Sequence, residues 1–491
     1  MNKLVLSGII LCFLSYHAPG QELMRQFTLE EAILRAQTES PDALNAHQAF
    51  RSSYWDYRSY QASNLPALIF SSTLPYINQS IQSQSIDGVQ KYSSYKYVLA
   101  NAKIALTQKI GLTGGTISVN SSLQGQFNAD QANPTPYWST PVNIEFGQPL
   151  FAYNPHRWDK KIKPLKFKIA ERKFYEDLEQ IAITATNYFF NLLQAQVDKT
   201  IADTNRSNYE TLYHIAEGRY QLGKIAENDL LQLQLSFLKA QAQVENAQLS
   251  LENARFRFKS YLRLQDQTKI ILLPPDKISF YKIDPEVARE KAKLYSTTTY
   301  NFTKRKWEAA SAVNKAKLDG RFDANLMAVI GLQQNGLTVS DAYQNPADQR
   351  QIALGMTIPI YDWGVARGNI KVAESQEEIE LNNIDQEAID FDQNVYQKAI
   401  QCNMQQNQVQ IAEQSAHVAK KSYEVTKGRY LIGKINSILD LNNAQMETDN
   451  AEKGYYYALL TYWRSLYELR KMTLFDFSKN EQIRHDFPGV K

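Results

Sequence analysis

The sequence predicts a mainly α-helical chain with a membrane β-barrel, in which long helices form an α-helical barrel and the strands form a β-barrel shared between copies. Three observations lead to this fold class. A short stretch occurs twice, several segments alternate with a period of two, and very long segments without glycine carry helical periodicity. The chain has 491 residues.

An internal duplication organises the chain. Residues 218–225 read Gly-Arg-Tyr-Gln-Leu-Gly-Lys-Ile, and 428–435 read Gly-Arg-Tyr-Leu-Ile-Gly-Lys-Ile, which is an offset of 210 residues. The same offset relates Gln-Pro-Leu-Phe at 148–151 to Ile-Pro-Ile-Tyr at 358–361. Because two separate matches share one register, we infer a tandem repeat of a unit of about 200 residues, far longer than common solenoid repeats. The paired glycines suit a tight reversal between two helices.

Residues 1–20 have the features of a signal peptide. A lysine precedes the apolar core 4–14, and small residues precede the expected cleavage site after Gly20. A lipoprotein leader is the rival interpretation because of Cys12, but the bulky Leu11 in front of it argues against lipidation. We therefore expect that an acyl label is not incorporated at Cys12.

Composition excludes several classes of protein. The net charge of +3 gives no basic excess for nucleic acid. Cys402 is the single cysteine after the leader, which excludes a disulfide within the mature chain. The histidines are scattered without metal-ligand spacing, and no nucleophile or phosphate-binding motif occurs. The sequence therefore predicts neither an enzyme nor a cofactor or metal site.

The first helix has clear start and break signals. Thr28 is a predicted N-cap, and Glu31 three residues later completes a capping box. Pro41 disfavours a helical conformation at Ser40, so we expect a local break there before the helix resumes to about Asn64.

Six segments alternate between apolar and polar or small residues, as strands do. Each has roughly the 9–11 residues of a tilted membrane strand, with one face for lipid and one for a wet lumen. A soluble antiparallel sheet with one solvated face has the same alternation, so this alternative stays open. The shared-face positions are Leu68, Phe70, Leu74 and Tyr76; Ala102, Ile104 and Leu106; Ile117, Val119, Leu123 and Phe127; Val142, Ile144 and Phe146; Phe322, Ala324, Leu326, Ala328, Ile330 and Leu332; and Ile352, Leu354, Met356, Ile358 and Ile360.

Aromatic residues follow two of these strands. Phe151, Tyr153 and Trp158 come after the first proline motif, and Tyr361 and Trp363 after the second. Their position is typical of a membrane-interface girdle. The alternative is ordinary core aromatics at a strand-to-helix junction.

Very long helices follow the strands. Residues 155–217 contain no glycine, and a helix of about 60 residues spans about 90 Å. Its partner, 227–262, carries two apolar stripes on nearly opposite sides, which favours a stave in a hollow cylinder over a helix buried in a large bundle. The stripes are Leu231, Leu235, Leu238, Ala242, Leu249 and Phe256, and Ala240, Val244, Ala247, Leu251, Ala254, Phe258 and Tyr261.

The second half repeats the plan after a proline-marked linker. We expect a helix over 285–317, two strands to Ile360, and helices over 365–427 and 438–471. The predicted domain division is a signal peptide 1–20 and one unit 21–491, which comprises repeat one at about 28–265, a linker 266–285, repeat two at about 286–471 and a tail 472–491.

Together, the leader, the duplication, the long helices, the strand pairs and the Arg-Tyr-x-x-Gly reversals resemble the TolC family of outer-membrane efflux ducts. The resemblance covers nearly the whole mature chain. Its most specific signals are Gly-Gln-Pro-Leu-Phe at 147–151 and the reversals followed by Asp229 and Asp440.

The resemblance implies a homotrimer in the outer membrane of a Gram-negative bacterium, with a long periplasmic part. Each chain would give four strands to a shared twelve-stranded barrel in outer-membrane lipid, and its helices to a periplasmic α-barrel. The duct would open at its periplasmic tip. It would dock a periplasmic adaptor (membrane fusion) protein and an inner-membrane pump of the RND or ABC type.

Two features depart from the family pattern. The first half holds four candidate strands rather than two, and we expect the surplus hairpin, about 103–127, to be dispensable for assembly while altering the outer end of the barrel. The second reversal has one extra residue, since Asp440 follows Gly433 by seven positions whereas Asp229 follows Gly223 by six.

We expect the two reversals to form the periplasmic tip, because both lie at the far end of the longest helices, about 90 Å from the strands. Rings of Asp229 and Asp440 would narrow the entrance, and basic residues of the reversals would pair with them, although both aspartates are also explained as helix-start carboxylates. The residues expected in tip pairing and adaptor docking are Gly218, Arg219, Tyr220, Gly223 and Lys224, with Gly428, Arg429, Tyr430, Gly433 and Lys434.

The predicted function is a channel-tunnel that exports small molecules or proteins from the periplasm or cytoplasm. The alternative is a non-conducting coiled-coil protein with a structural or adhesive role at the cell surface. The sequence specifies neither the substrate nor the class of pump.

Overall fold

The computed structural model describes residues 24–86, 89–128, 137–264, 269–275, 280–434 and 437–485, so the predicted signal peptide lies outside the described residues. In chain order the elements are β1 (Met24–Phe27), α1 (Leu29–Glu39), α2 (Pro41–Ala62), β2 (Ala67–Ile86), β3 (Val89–Ile110), β4 (Gly115–Asn128), β5 (Tyr137–Leu150), α3 (Pro155–Gln221), α4 (Glu227–Tyr261), β6 (Lys269–Leu272), α5 (Pro285–Tyr295), α6 (Thr297–Asp319), β7 (Asp323–Gly336), a short 3-10 helix (Asp341–Tyr343), β8 (Ala347–Thr357), α7 (Val365–Leu431), α8 (Ile438–Thr473), β9 (Phe475–Asp476) and β10 (Glu481–Gln482).

The helix lengths follow the same series in both halves. Helices α1 and α5 have 11 residues each, α2 and α6 have 22 and 23, α3 and α7 have 67 each, and α4 and α8 have 35 and 36. This series is consistent with the predicted duplication. At 1.5 Å per residue, α3 and α7 are each about 100 Å long.

The helix boundaries follow local capping signals. Thr28 and Glu31 form the predicted capping box, with the Glu31 amide donating to Thr28 Oγ1 and the Thr28 amide to Glu31 Oε2. The predicted break at Ser40 is confirmed, because the Ser40 side chain caps α2. The single helix predicted over 285–317 is wrong, since the extended backbone at Ser296 separates α5 from α6.

All the larger strands join one antiparallel sheet in the order β2-β3-β4-β5-β7-β8. Its register carries one apolar face across the whole sheet. Leu106 of β3 pairs with Val119 of β4, Val119 pairs with Ile144 of β5, and Ile144 pairs with Ile330 of β7. The opposite face is polar, and the predicted alternation is confirmed there by Lys103, Asn120, Asn143 and Glu145.

Strands β3 and β4 depart from the four strands per chain that the family resemblance implied, and they answer whether the surplus hairpin belongs to the sheet, which the sequence left open. They lie inside the sheet, bonded to β2 on one side and β5 on the other, so the described residues of one chain form a sheet of six strands rather than four. The turn at 111–114 between β3 and β4 is tied to the start of α3. Asn154 Nδ2 donates to the carbonyls of Gly111 at 3.1 Å and Leu112 at 3.2 Å. This position argues against the expectation that the hairpin is dispensable.

A bulge in β2 changes which residues share a face. The register shifts between Thr73 and Tyr76, so Phe70 pairs with Ile104 but Tyr76 pairs with Leu99. Since Leu99 lies an odd number of residues from Ile104, Tyr76 faces away from Phe70. The prediction of one shared face through Tyr76 is therefore wrong. Pro75 falls within the bulge, where its missing N–H costs no ladder hydrogen bond.

The main core lies where both repeats meet, around the middle of α3 and the C-terminal part of α8. It includes a parallel pair of short strands, β1 and β6, that the sequence did not reveal; β6 falls in the predicted linker. Phe27, Ile270 and Leu272 are buried there. The predicted patternless tail contributes Asp476, which binds Arg470 together with Glu179.

Candidate functional site

The two reversals end their helices with the same hydrogen bonds. In the first, the Gly223 amide donates to the carbonyl of Tyr220 and the Lys224 amide to that of Arg219. In the second, Gly433 and Lys434 repeat these bonds to the residues 210 positions later. Both glycines have positive φ, 67° and 74°. These are Schellman caps, in which the glycine conformation satisfies the last carbonyls of α3 and α7.

The first glycine of each motif does not take part in the turn. Gly218 and Gly428 lie inside the last turns of α3 and α7, and a Cβ at either would meet nothing within 4 Å. The sequence placed the helix ends near 217 and 427, before these glycines, whereas the helices continue to Gln221 and Leu431.

The capping geometry leads to a matched pair of substitutions. We expect Gly223→Ala to destabilise the first reversal by about 1–2 kcal/mol, because an L-residue pays that cost in the left-handed region. Gly218→Ala should be neutral or stabilising, since alanine favours helix and the site is open. Hydrogen exchange of the amides around the first reversal measures both. Equal protection in the two variants would contradict the assigned roles.

Arg219 joins the two reversals of one chain. Its Nη2 donates to the Leu431 carbonyl at 2.8 Å, and its Nη1 to the Tyr430 carbonyl at 3.3 Å. The guanidinium also lies over the Tyr430 ring, 5.4 Å from its centroid. A cation at the C-terminal carbonyls of α7 is favoured by the helix dipole. The sequence led us to expect a carboxylate partner for Arg219, but within the described part of the chain it binds backbone carbonyls.

Tyr430 is the centre of a buried group that we call the tip cluster. The residue is 2% exposed, and burial raises the pKa of its hydroxyl, with Asp229 acting in the same direction and Arg219 in the opposite one. The tip cluster therefore brings residues of both repeats together. Its buried members are Leu212, Ala216, Leu233, Tyr423, Tyr430, Ile438, Leu441 and Ala444.

Next to the tip cluster, hydrogen bonds also connect α3 to the second repeat. Tyr209 Oη donates to Asn442 Oδ1 at 3.0 Å, and Asn205 Nδ2 donates to Asp449 Oδ2 at 2.7 Å. Burial raises the pKa of the Asp449 carboxyl. Sequence reasoning missed these residues because the partners lie more than 230 positions apart, and no local motif marks them.

The two candidate constriction residues occupy the same position in their helices. Helix α4 begins at Glu227 and α8 at Ile438, so Asp229 and Asp440 are both the third helical residue. The extra residue of the second reversal therefore falls before α8 and does not rotate Asp440 relative to the helix start. Asp229 is half-buried, whereas Asp440 is exposed, with its amide donating to the Ser437 cap.

The other predicted tip residues do not take part in the contact between the two reversals of one chain. Arg429, Lys224 and Lys434 are exposed, and Tyr220 is 42% exposed although its counterpart Tyr430 is buried. One chain thus covers one of the two equivalent tyrosines.

The two apolar stripes of α4 have different environments. Ala247, Leu251 and Phe258 of the second stripe are buried, while the first stripe is uncovered. Helix α7 also has uncovered apolar residues, which recur in steps of seven within two runs along the helix. The exposed large members are Leu231, Leu235, Leu238, Leu249 and Phe256 on α4, and on α7 Val372 and Ile379 in one run and Met404, Ile411, Val418 and Val425 in the other.

The five predicted interface aromatics fall into two groups at the strand-to-helix junctions. Phe151, Tyr361 and Trp363 are exposed. Tyr153 and Trp158 instead contact α6, where the Tyr153 hydroxyl lies 2.7 Å from Ser311 Oγ and Trp158 Nε1 donates to Asn314. The three exposed aromatics remain candidates for a membrane-interface girdle, while the other two connect the start of α3 to α6.

The described residues hold neither a candidate metal site nor a membrane-spanning helix. They contain no group of His, Cys, Asp or Glu side chains arranged to hold a metal ion. None of the described helices combines the length and the apolar composition needed to cross a membrane.

Comparisons with known proteins agree with this architecture. Residues 325–473 match the family model described as outer membrane efflux protein. The multidrug resistance outer membrane protein MdtQ of Escherichia coli O157:H7 is 30% identical over 91 residues, which are 18% of this chain and 19% of that protein. The match therefore spans about a fifth of the length of this curated relative.

Solved structures extend the likeness over most of the chain. The CmeC outer membrane channel of Campylobacter jejuni aligns with a TM-score of 0.64 at 15% identity, covering 94% of this chain and 87% of that one. The outer membrane protein VceC of Vibrio cholerae aligns with a TM-score of 0.62 at 14% identity, covering 93% and 97%. This likeness shows the fold of the chain, which the two channel-family structures share. Residues 325–473 therefore resemble the outer membrane efflux protein family, and the chain as a whole has the fold of the solved outer membrane channels.

Proposed function

We propose that this chain forms a homotrimeric export duct of the outer membrane, which works with a periplasmic adaptor and an inner-membrane pump. The proposal rests on two features that occur together in one chain. A sheet with an apolar face stands at one end of helices about 100 Å long, and apolar stripes on those helices are uncovered in the single chain.

The uncovered stripes support assembly from several copies. Helix α7 and helix α4 lie on the two sides of the chain, since α3 packs on α4 and α8 packs on α7, with α3 against α8 in between. An apolar stripe on each outer helix is suited to a neighbouring copy, α7 of one chain against α4 of the next. Three copies would then give twelve long staves around a hollow axis.

In this assembly the reversals form the periplasmic tip, and Asp229 narrows its entrance. Three such carboxylates near one axis would attract cations and repel anions. The equivalence of Asp229 and Asp440 as third helical residues supports a second ring.

Single-channel recording in planar bilayers tests the proposal. We expect the purified trimer to conduct with cation preference, and Asp229→Ala to weaken both that preference and the block by multivalent cations. Asp203→Ala is the control, because Asp203 lies mid-helix in an exposed ion pair with Lys199. A protein that inserts but does not conduct would favour the coiled-coil structural alternative. Equal effects of the two substitutions would remove Asp229 from the entrance.

A further inference from the structure

Strands β3 and β4 have one apolar face and one polar face, as the rest of the sheet has. In β3 and β4, Ile104, Leu106 and Val119 lie on the apolar face and are 42–45% exposed. Their other face carries Lys103 and Asn120, and Lys103 Nζ lies 3.6 Å from Glu145 Oε1 of β5. A hairpin folded away from a membrane wall would not need to continue both faces of that wall.

The sheet also has two edges that need partners. Strands β2 and β8 stand at its ends, and no described strand pairs with their outer edges. A sheet whose apolar face meets lipid cannot leave backbone groups unpaired, and six strands are too few to close on themselves. Strand β2 leads away from α2 and β8 leads into α7, so β8 of one copy can pair antiparallel with β2 of the next.

We propose that three chains close a barrel of eighteen strands, and that its wide lumen passes bulkier cargo than a barrel with four strands per chain would. This inference rests on the proposed export function and specifies the width of its outer end. With strands about 4.8 Å apart and tilted by about 40°, eighteen strands give a circumference of about 110 Å, against about 75 Å for twelve.

The helical part of the duct supports the larger number. Four helices of each chain, α2, α3, α6 and α7, connect directly to sheet strands. Twelve such helices at about 8–10 Å spacing have a circumference of about 100–120 Å. An eighteen-stranded barrel therefore continues the helical wall at nearly constant width. After side chains are allowed for, its lumen is about 25 Å wide, compared with about 14 Å for twelve strands.

Polymer exclusion measures this width. We expect a polyethylene glycol about 20 Å in hydrodynamic diameter, small enough for a lumen of about 25 Å, to penetrate the barrel from the outer side of a planar bilayer and lower the conductance. Deleting 77–136 and joining β2 to β5 through an Asn-Gly turn leaves four strands per chain, and we expect that variant to exclude the polymer.

A shorter deletion is the matched control. Removing 80–95 and inserting Asn-Gly keeps all six strands, because Gln79 already pairs with Lys96, and polymer access should not change. An absence of any conductance would overturn the proposed function. Conductance with exclusion of the polymer by the unaltered protein would overturn the eighteen-stranded barrel alone.

Disulfide trapping tests the wall without a deletion that could prevent folding. In a Cys402→Ala background, Ser122→Cys with Thr140→Cys should cross-link β4 to β5, since these two residues face each other. Ser71→Cys with Thr140→Cys, which would join β2 to β5 on the same face of the sheet, should not react, because β3 and β4 lie between these two strands. Cross-linking of the second pair but not of the first in membrane-assembled trimers would contradict the inference. So would a detergent-corrected mass other than that of a trimer.

Discussion

Glu179→Ala is expected to lower the free energy of unfolding by about 3–5 kcal/mol, because it leaves the charge of Arg470 inside the core with one of its two partners removed. Arg470 binds Glu179 through Nε at 3.0 Å and Nη2 at 3.1 Å, and it binds Asp476 at 2.7 Å. The Glu179 side chain is 1% exposed and the Arg470 side chain is 21% exposed, so water can replace only part of the lost hydrogen bonding. The measurement is the urea midpoint of the helical circular dichroism signal in detergent.

An exposed arginine–glutamate pair with two hydrogen bonds is the control. Arg305 donates to Glu387 from Nη1 at 2.6 Å and from Nη2 at 3.0 Å, but Glu387 is 49% exposed. Glu387→Ala should therefore cost about 1 kcal/mol or less. The double variant Glu179→Leu with Arg470→Met should recover most of the stability, since Asp476 still accepts from Ser478 and Lys479. Equal losses from Glu179→Ala and Glu387→Ala would contradict the role of burial.

Local signals predicted the elements of this fold well. The capping box at Thr28, the alternation in the strands and the long glycine-free runs each depend on residues near one another in sequence, so their physical causes can be read directly. The ends of α3 and α7 were placed about four residues early, because Gly218 and Gly428 were taken as part of the turn. Only the conformation of Gly223 and Gly433 requires glycine.

Long-range arrangements could not be predicted in the same way. The position of β3 and β4 depends on which strands pair, and alternation is identical for a wall strand and a peripheral hairpin. The contact of Arg219 with the carbonyls of Tyr430 and Leu431 joins residues more than 210 positions apart. The motif drew attention to both copies, but it could not show that the acceptor is a helix end rather than a carboxylate.

That contact leads to the prediction with the largest functional effect. Arg219→Ala removes the hydrogen bonds that hold the two reversals of one chain together, and we expect it to raise single-channel conductance by favouring an open tip. Charge-assisted hydrogen bonds contribute about 1.5–3 kcal/mol. A loss of about 1.5 kcal/mol in each of three chains would shift a concerted closed-to-open equilibrium by about 4.5 kcal/mol, which is more than a thousandfold.

Three further variants give this prediction its controls. Arg206→Ala removes an exposed charge from the same helix and should leave the conductance unchanged. Arg219→Lys keeps the positive charge but loses the planar guanidinium that donates to both carbonyls, so it should have an intermediate effect on the conductance. Arg429→Ala examines the second repeat. Arg429 is exposed in the single chain, as is Tyr220, the counterpart of buried Tyr430, so in a ring of three chains Arg429 would reach the first reversal of the neighbouring copy. Its removal should then open the tip as Arg219→Ala does. An effect of Arg206→Ala as large as that of Arg219→Ala would show that net charge, rather than the contact with the α7 carbonyls, controls the tip.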